Sequence, residues 1–323
     1  MSRRNSFIVR LVLMIGLVVG LIMFIFRKGD TFEVLSHTNL SIILGIFATY
    51  ALNYIFLGLV YNFPLKKMDI SLSFNQWFGL TNLSNLFNLI LPAKGGTAIR
   101  WLYLWEVHKL PTRNFFSINL FGTAVGMITM GYLGLLVSYF VPGMTSSIVS
   151  DMDTAFWVLF LVGSSIIVFM SRNSIKKFKI FSPLPDELKD WKIFSSTALC
   201  FAGITLLYPV RTYLSYHSLG IQIGLVEGIE ISMIALLISI VPLLPGNIGV
   251  KELAMAYIAK RYGISAEMAI LASLIERAGL YLFLLPFGFL AYFSVFLNIK
   301  GKRSLSDIAG LMSKSQLSRE AHE

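Results

Sequence analysis

The chain has 323 residues, of which 56% are hydrophobic and 14% charged, and its mean hydropathy is +0.73. That balance excludes an ordinary soluble domain, and several apolar runs reach the roughly 20 residues that cross a bilayer. The net charge of +10 does not call for nucleic acid, because Lys and Arg gather in short loops, as the positive-inside bias dictates.

In chain order, Arg3 and Arg4 precede an apolar run from Phe7 to Phe26. The run is long for a secretory signal and no small-x-small cleavage site follows, so it reads as a first span. Full spans are expected at about 7–26, 40–60, 115–140, 154–171, 193–213 and 269–297. Arg3, Arg4 and Arg10 place the N-terminus in the cytoplasm, and Lys66 with Lys67 place the far end of the second span there too. The 141–153 loop has Asp151 and Asp153 but no base, so it is expected outside. Arg172, Lys176, Lys177, Lys179, Lys189 and Lys192 mark the next loop as cytoplasmic, and Lys300, Lys302 and Arg303 do the same for the C-terminus. Residues 304–323 form a polar tail expected to be disordered.

Two segments, about 70–112 and 217–266, must then enter and leave from one side. Each has an apolar arm, a Pro/Gly break and a shorter amphipathic arm, which reads as a re-entrant hairpin. The arm from Ser71 to Leu91 is long enough to span, whereas Thr97 to Val107 is too short at about 1.5 Å per residue. The breaks resemble one another, LPAKGG at 91–96 and LPGNIG at 244–249, at an offset of 153 residues. The same offset lays the second span on the fifth expected one and Thr112 on Ser265, each a candidate N-cap for a long helix. The reading is an all-α polytopic membrane protein with about six full spans, two re-entrant helical hairpins and an inverted-topology repeat. Its halves, about 1–145 and 154–300, lie within one membrane domain over 1–303. Broken helices in inverted repeats are the usual build of secondary transporters.

The breaks are where chemistry is expected. Gly95 with Gly96, and Gly246 with Gly249, each precede a short helix whose first N–H groups and dipole suit an anion such as phosphate. The alternative is a structural kink. Arg277 lies 12 residues beyond Ser265, roughly 18 Å into the bilayer, and needs a partner there. Glu252 and Glu276 are the available acids, and Arg277 is expected to pair with Glu252. Lys94, Arg100, Lys251 and Arg277 outnumber those two acids, which suits an anionic headgroup, with a purely structural ion pair as the alternative. Asn75, Asn82, Asn85 and Asn88 fall near one face of the first hairpin arm and are expected to bond between helices, with the lining of a polar pathway as the alternative. Gly16 with Gly20 and Gly122 with Gly126 read as close-packing faces, and Glu227 with Glu230 as a solvated face. Cys200 is the single cysteine, and His37, His108, His217 and His322 show no metal-ligand spacing, so no metal or cofactor is expected.

At these residues the chain resembles the membrane region of the lysylphosphatidylglycerol synthase family, a group described as flippase-like. The family's late Pro-Gly-x-x-Gly-x-x-Glu pattern, with a following Gly and a deep Arg, is matched by Pro245, Gly246, Gly249, Glu252, Gly263 and Arg277. The early pattern is matched by Pro92, Lys94, Gly96 and Arg100, with Thr97 where the family carries an acid. The similarity covers about 7–300, and no soluble aminoacyl-transferase domain is expected after it. The resemblance implies a protein that moves or binds an anionic phospholipid or polyprenyl-linked headgroup in the cell membrane. Lys94, Gly95, Gly96, Arg100, Gly246, Gly249, Glu252 and Arg277 would line its site. A membrane enzyme acting on such lipids and a non-transporting assembly partner are the alternatives. An enzyme would need an acid, base or nucleophile at an interface, and no His cluster, Asp-x-Asp or paired carboxylates stand there.

Overall fold

A computed structural model describes residues 39–90, 95–140, 147–171, 185–240 and 247–293. Its first helix, α1 (Leu40–Lys67), starts where the Asn39 side chain accepts the Ser41 N–H at 2.9 Å and closes on Lys66 and Lys67. Cap and basic last turn both satisfy the helix dipole. Two short helices follow, α2 (Phe74–Ile90) and α3 (Gly96–His108), then the long α4 (Thr112–Phe140) and α5 (Ser147–Ser171). The second half repeats the sequence of lengths. α6 (Trp191–His217) is long, α7 (Leu225–Ile240) and α8 (Val250–Ala259) are short, and α9 (Ala266–Ala291) is long again. Asp190 caps α6 by accepting the Lys192 N–H at 2.9 Å, and Ser265 caps α9.

Five of the described helices are long and apolar enough to cross a membrane: α1, α4, Met152–Ser171 of α5, α6 and α9. They coincide with five of the six expected spans, and the expected span at 7–26 lies outside the described residues. The spans expected at 40–60 and 193–213 end too early, because α1 continues through Pro64 to Lys67 and α6 continues to His217.

α4 lies along α5 and α1 along α6, while α2 packs on α9 and α8 is held between α7 and α9. Helices α1 to α4 share one core around Leu65, Leu83, Leu104, Phe115 and Phe121. Helices α6 to α9 share another around Tyr216, Ile231, Met255, Ile258 and Ala272. In lipid, such contacts gain from close packing rather than from water release. Gly126 serves that end, since a β-carbon there would press into the Phe201 ring of α6 at 2.9 Å, and Gly122 faces Val60. Gly16 and Gly20 lie outside the described residues.

At the first break, the chain doubles back so closely that a β-carbon on Gly96 would land on the Ser84 carbonyl oxygen. Ser84 Oγ donates to the Gly96 carbonyl at 2.7 Å, and the Gly96 N–H donates to Asn88 Oδ1 at 2.8 Å. Asn88 thus reaches another helix, as expected. Asn82 and Asn85 instead donate to the carbonyls of Phe78 and Thr81 within α2, and Asn75 is exposed. An amide four residues beyond a carbonyl finds it before any neighbouring helix does. At the second break, Asn247 and Gly249 adopt φ of 49° and 85°, and Asn247 Nδ2 donates to the Ile238 carbonyl at 2.8 Å.

Two expectations are corrected. Thr112 is the first residue of α4 rather than its cap, and its hydroxyl accepts the Trp101 indole N–H at 3.2 Å. Glu230 is not solvated: it is 4% exposed and accepts the Tyr262 hydroxyl, which ties the turn after α8 to α7. A tyrosine 32 residues away supplies the partner that helix periodicity could not show.

Candidate functional site

Between α8 and α9, adjacent residues on each helix form two ion pairs side by side. Glu252 Oε1 accepts Arg277 Nη2 at 2.6 Å and Nε at 2.8 Å, and Glu252 Oε2 accepts the Gly249 N–H at 2.7 Å. The pairing expected for Arg277 is therefore present. One residue earlier on each helix, Lys251 Nζ meets Glu276 Oε2 at 2.5 Å, and Thr212 Oγ1 of α6 donates to Glu276 Oε1 at 2.9 Å. Both acids are buried, Glu252 at 0% and Glu276 at 1% exposure.

Local sequence explains this arrangement. Gly249 holds a left-handed turn that a side chain would strain, so α8 restarts with Lys251 and Glu252 in its first turn. Glu252 folds back onto the Gly249 N–H, half of a capping box, and so faces α9 where Arg277 stands. Glu276 and Arg277 are neighbours on α9 and point to different partners, so the two pairs stay separate.

Two further arginines are buried without an ion pair among the described residues. Arg100 of α3 is 4% exposed, and its guanidinium lies 3.6 Å above the Tyr61 ring of α1. The Tyr61 hydroxyl in turn donates to Asn119 Oδ1 at 3.1 Å. Arg211 of α6 is 3% exposed, with Tyr50 of α1 and Tyr208 at 4.2 and 4.6 Å from its guanidinium carbon. Its Nε and Nη1 have no hydrogen-bond partner among the described residues. A desolvated cation–π contact returns about 2 kcal/mol. Burying an ion costs several, so the ring contact alone does not compensate either cation.

Of the residues expected to form the site, Glu252, Gly249 and Arg277 come together. Gly95, Gly96 and Arg100 lie at the other break, and Lys94 and Gly246 fall outside the described residues. The first donor of each short helix is already engaged, Gly96 N–H by Asn88 and Gly249 N–H by Glu252. Backbone donors there are less open to an anion than helix starts alone suggest, which shifts the weight to the arginines. Sequence reasoning misses Arg211, which lies inside the apolar run of span 193–213. An arginine inside an apolar run was the signal. Among the described residues, no three His, Cys, Asp or Glu side chains gather to hold a metal.

Long apolar helices, paired short helices with breaks, and charges buried among them define an all-α polytopic membrane protein. The family model for the lysylphosphatidylglycerol synthase TM region matches residues 8–288, and the chain belongs to that family. It is also 23% identical over 308 residues to a UPF0104 membrane protein of Methanothermobacter thermautotrophicus, covering 84% of this chain and 88% of that one. No solved structure matches.

Proposed function

We propose that this protein binds an anionic lipid headgroup and carries it between leaflets of the cell membrane, with Arg100 as the phosphate contact. The observation that carries this is the state of Arg100: buried, stacked on Tyr61, and without a carboxylate partner among the described residues. Arg277, by contrast, is satisfied by Glu252. A guanidinium kept apolar on one face and unneutralised is suited to a ligand that brings its own negative charge, and its planar fork matches two phosphate oxygens. The recurring order of long, short, short and long helices supports the inverted repeat, and with it a site between two broken helix pairs. In this reading both termini are cytoplasmic, and Tyr61 lies near the cytoplasmic end of α1, six residues before Lys67.

The test uses vesicles of phosphatidylcholine containing a trace of tail-labelled phosphatidylglycerol, with the label accessible in the outer leaflet destroyed chemically. The protein should speed label exchange between leaflets. Arg100→Ala should abolish most of that gain at unchanged protein abundance, and Arg100→Lys should keep part of it. Equal exchange in Arg100→Ala and wild type would overturn the proposal.

A further inference from the structure

Arg100 is held by a series of contacts that runs out of its own helix. Its guanidinium carbon lies 3.6 Å from the centre of the Tyr61 ring of α1. The Tyr61 hydroxyl reaches Asn119 Oδ1 of α4 at 3.1 Å, and Asn119 Nδ2 reaches the Phe115 carbonyl at 2.9 Å. Phe115 is 2% exposed, and Tyr61 packs against the same core. Helices α3, α1 and α4 are thus linked in order, with the cation at one end and a core residue at the other.

Hydrogen-bond chemistry fixes the direction of each link. A backbone carbonyl only accepts, so Asn119 turns its nitrogen to Phe115 and its oxygen to Tyr61. The amide oxygen also only accepts, so the Tyr61 hydroxyl points its one hydrogen at Asn119. Tyr61 therefore has no hydrogen to give an arriving anion, and its oxygen lone pairs repel one. What it supplies is the ring, whose negative face attracts the guanidinium and occupies one side of it. An arginine side chain has many rotamers, and a fork aimed in advance loses less freedom when its ligand arrives.

The tie to Tyr61 is not a by-product of placing asparagine in a helix. Asn82 donates to the carbonyl four residues before it in the same way, yet its Oδ1 has no hydrogen-bond partner among the described residues. Asn119 adds a bond across helices, and adds it to the ring that carries Arg100. Arg211 is stacked more loosely, at 4.2 and 4.6 Å from the rings of Tyr50 and Tyr208.

We infer that Tyr61 and Asn119 are positioning residues for Arg100: Asn119 fixes the Tyr61 ring, and the ring aims the guanidinium at the lipid phosphate. The inference rests on the proposed lipid reading and deepens it. It gives α4, which lies outside the broken helix pair, a part in setting the affinity of the site.

The vesicle exchange assay tests it when run over a series of phosphatidylglycerol mole fractions, at equal amounts of folded protein. Tyr61→Phe keeps the ring and removes the tie, and Asn119→Leu keeps the shape and removes the same tie. Each should raise the half-saturating fraction about three- to tenfold, the range for one neutral hydrogen bond, and lower the maximal rate far less. The double variant should shift half-saturation no further than either single, since both break one bond. Tyr61→Leu, which removes the ring as well, should shift it further. Should Asn119→Leu not fold, Tyr61→Phe compared with Tyr61→Leu decides. Arg100→Ala matching wild type would overturn the lipid reading and this role with it. Exchange that depends on Arg100 but keeps its half-saturation in Tyr61→Phe would overturn the positioning role alone. A lower maximal rate at unchanged half-saturation, or single effects that add in the double, would mean that these residues only support the fold, and would overturn that role too.

Discussion

Glu252→Gln gives the sharpest test of how the two halves of the charge network hold α8 on α9. At 2.6–2.8 Å the Glu252–Arg277 attraction is about 6 kcal/mol gross at an effective dielectric near 20. Desolvating both ions offsets much of that, so the intact pair adds little net stability. Removing one partner is different. Arg277, only 10% exposed, is then left charged without a carboxylate, at a cost of about 3–5 kcal/mol. Glu276 cannot substitute, because it precedes Arg277 on the same helix and is held by Lys251 and Thr212. The glutamine amide oxygen can still accept the Gly249 N–H, so the α8 cap survives and the loss reports on charge. Arg277→Gln should cost a similar amount by stranding Glu252. The double variant should lose less than the sum of the singles, with a coupling of about 2 kcal/mol, within the range for residues in direct contact. Unfolding in a fixed detergent, followed by size-exclusion chromatography, supplies the cycle. Single losses that simply add, to within about 0.5 kcal/mol, would refute the pair as an energetic unit.

Gly96→Ala should disrupt the first break severely, because the new β-carbon meets the Ser84 carbonyl, and Ser84→Ala should be far milder; comparable loss of folded yield in both would refute the close approach. For topology, on a Cys200→Ala background, Lys109→Cys should be labelled from the cytoplasmic side and Gly220→Cys from outside. Labelling of Lys109→Cys from outside would sink the inverted repeat. The Lys192 backbone N–H, then Lys67 at 3.1 Å, hold Asp190 below the usual carboxylate range. Its folded value lies under its unfolded one, so its contribution is complete above the ordinary carboxylate range and is lost as pH falls through the folded value. Melting temperature should therefore fall on acidification more in wild type than in Asp190→Asn, and identical profiles would count against that role.

Spans were legible because their signal is local. Twenty apolar residues with basic flanks need no partner to be recognised, so α1, α4, α5, α6 and α9 emerge within a few residues of their expected positions. What the pattern could not supply was the fate of polar groups inside those spans. Asn82 and Asn85 bond within their own helix, and Asn88 bonds across to Gly96, although the three share a spacing. Thr112 looked like a cap, yet a tryptophan eleven residues earlier takes its hydroxyl. Glu230 looked like surface, yet Tyr262 from beyond the break covers it. In each case a contact set by the fold decides between two locally equivalent outcomes.

The charges show the same division. Arg277 and Glu252 could be matched from sequence because depth demanded a partner and few acids were available. Lys251 and Glu276, next to them on both helices, then pair by geometry alone. With both acids committed, Arg100 is left with the Tyr61 ring of α1 and Arg211 with the rings of Tyr50 of α1 and Tyr208 of α6. That assigns different work to the two kinds of cation. The paired ones fix α8 against α9, where a neutral replacement of both partners should be tolerated. The stacked ones take part in neither of those ion pairs, and in the proposed reading an arriving anion compensates the burial of Arg100. A protein built only for stability would have no reason to keep them charged, since a leucine in either place would avoid the desolvation cost. Arg211→Leu and Arg100→Leu should accordingly fold at least as well as wild type in detergent and lose lipid transfer. Loss of folded protein in both would mean that these arginines are structural.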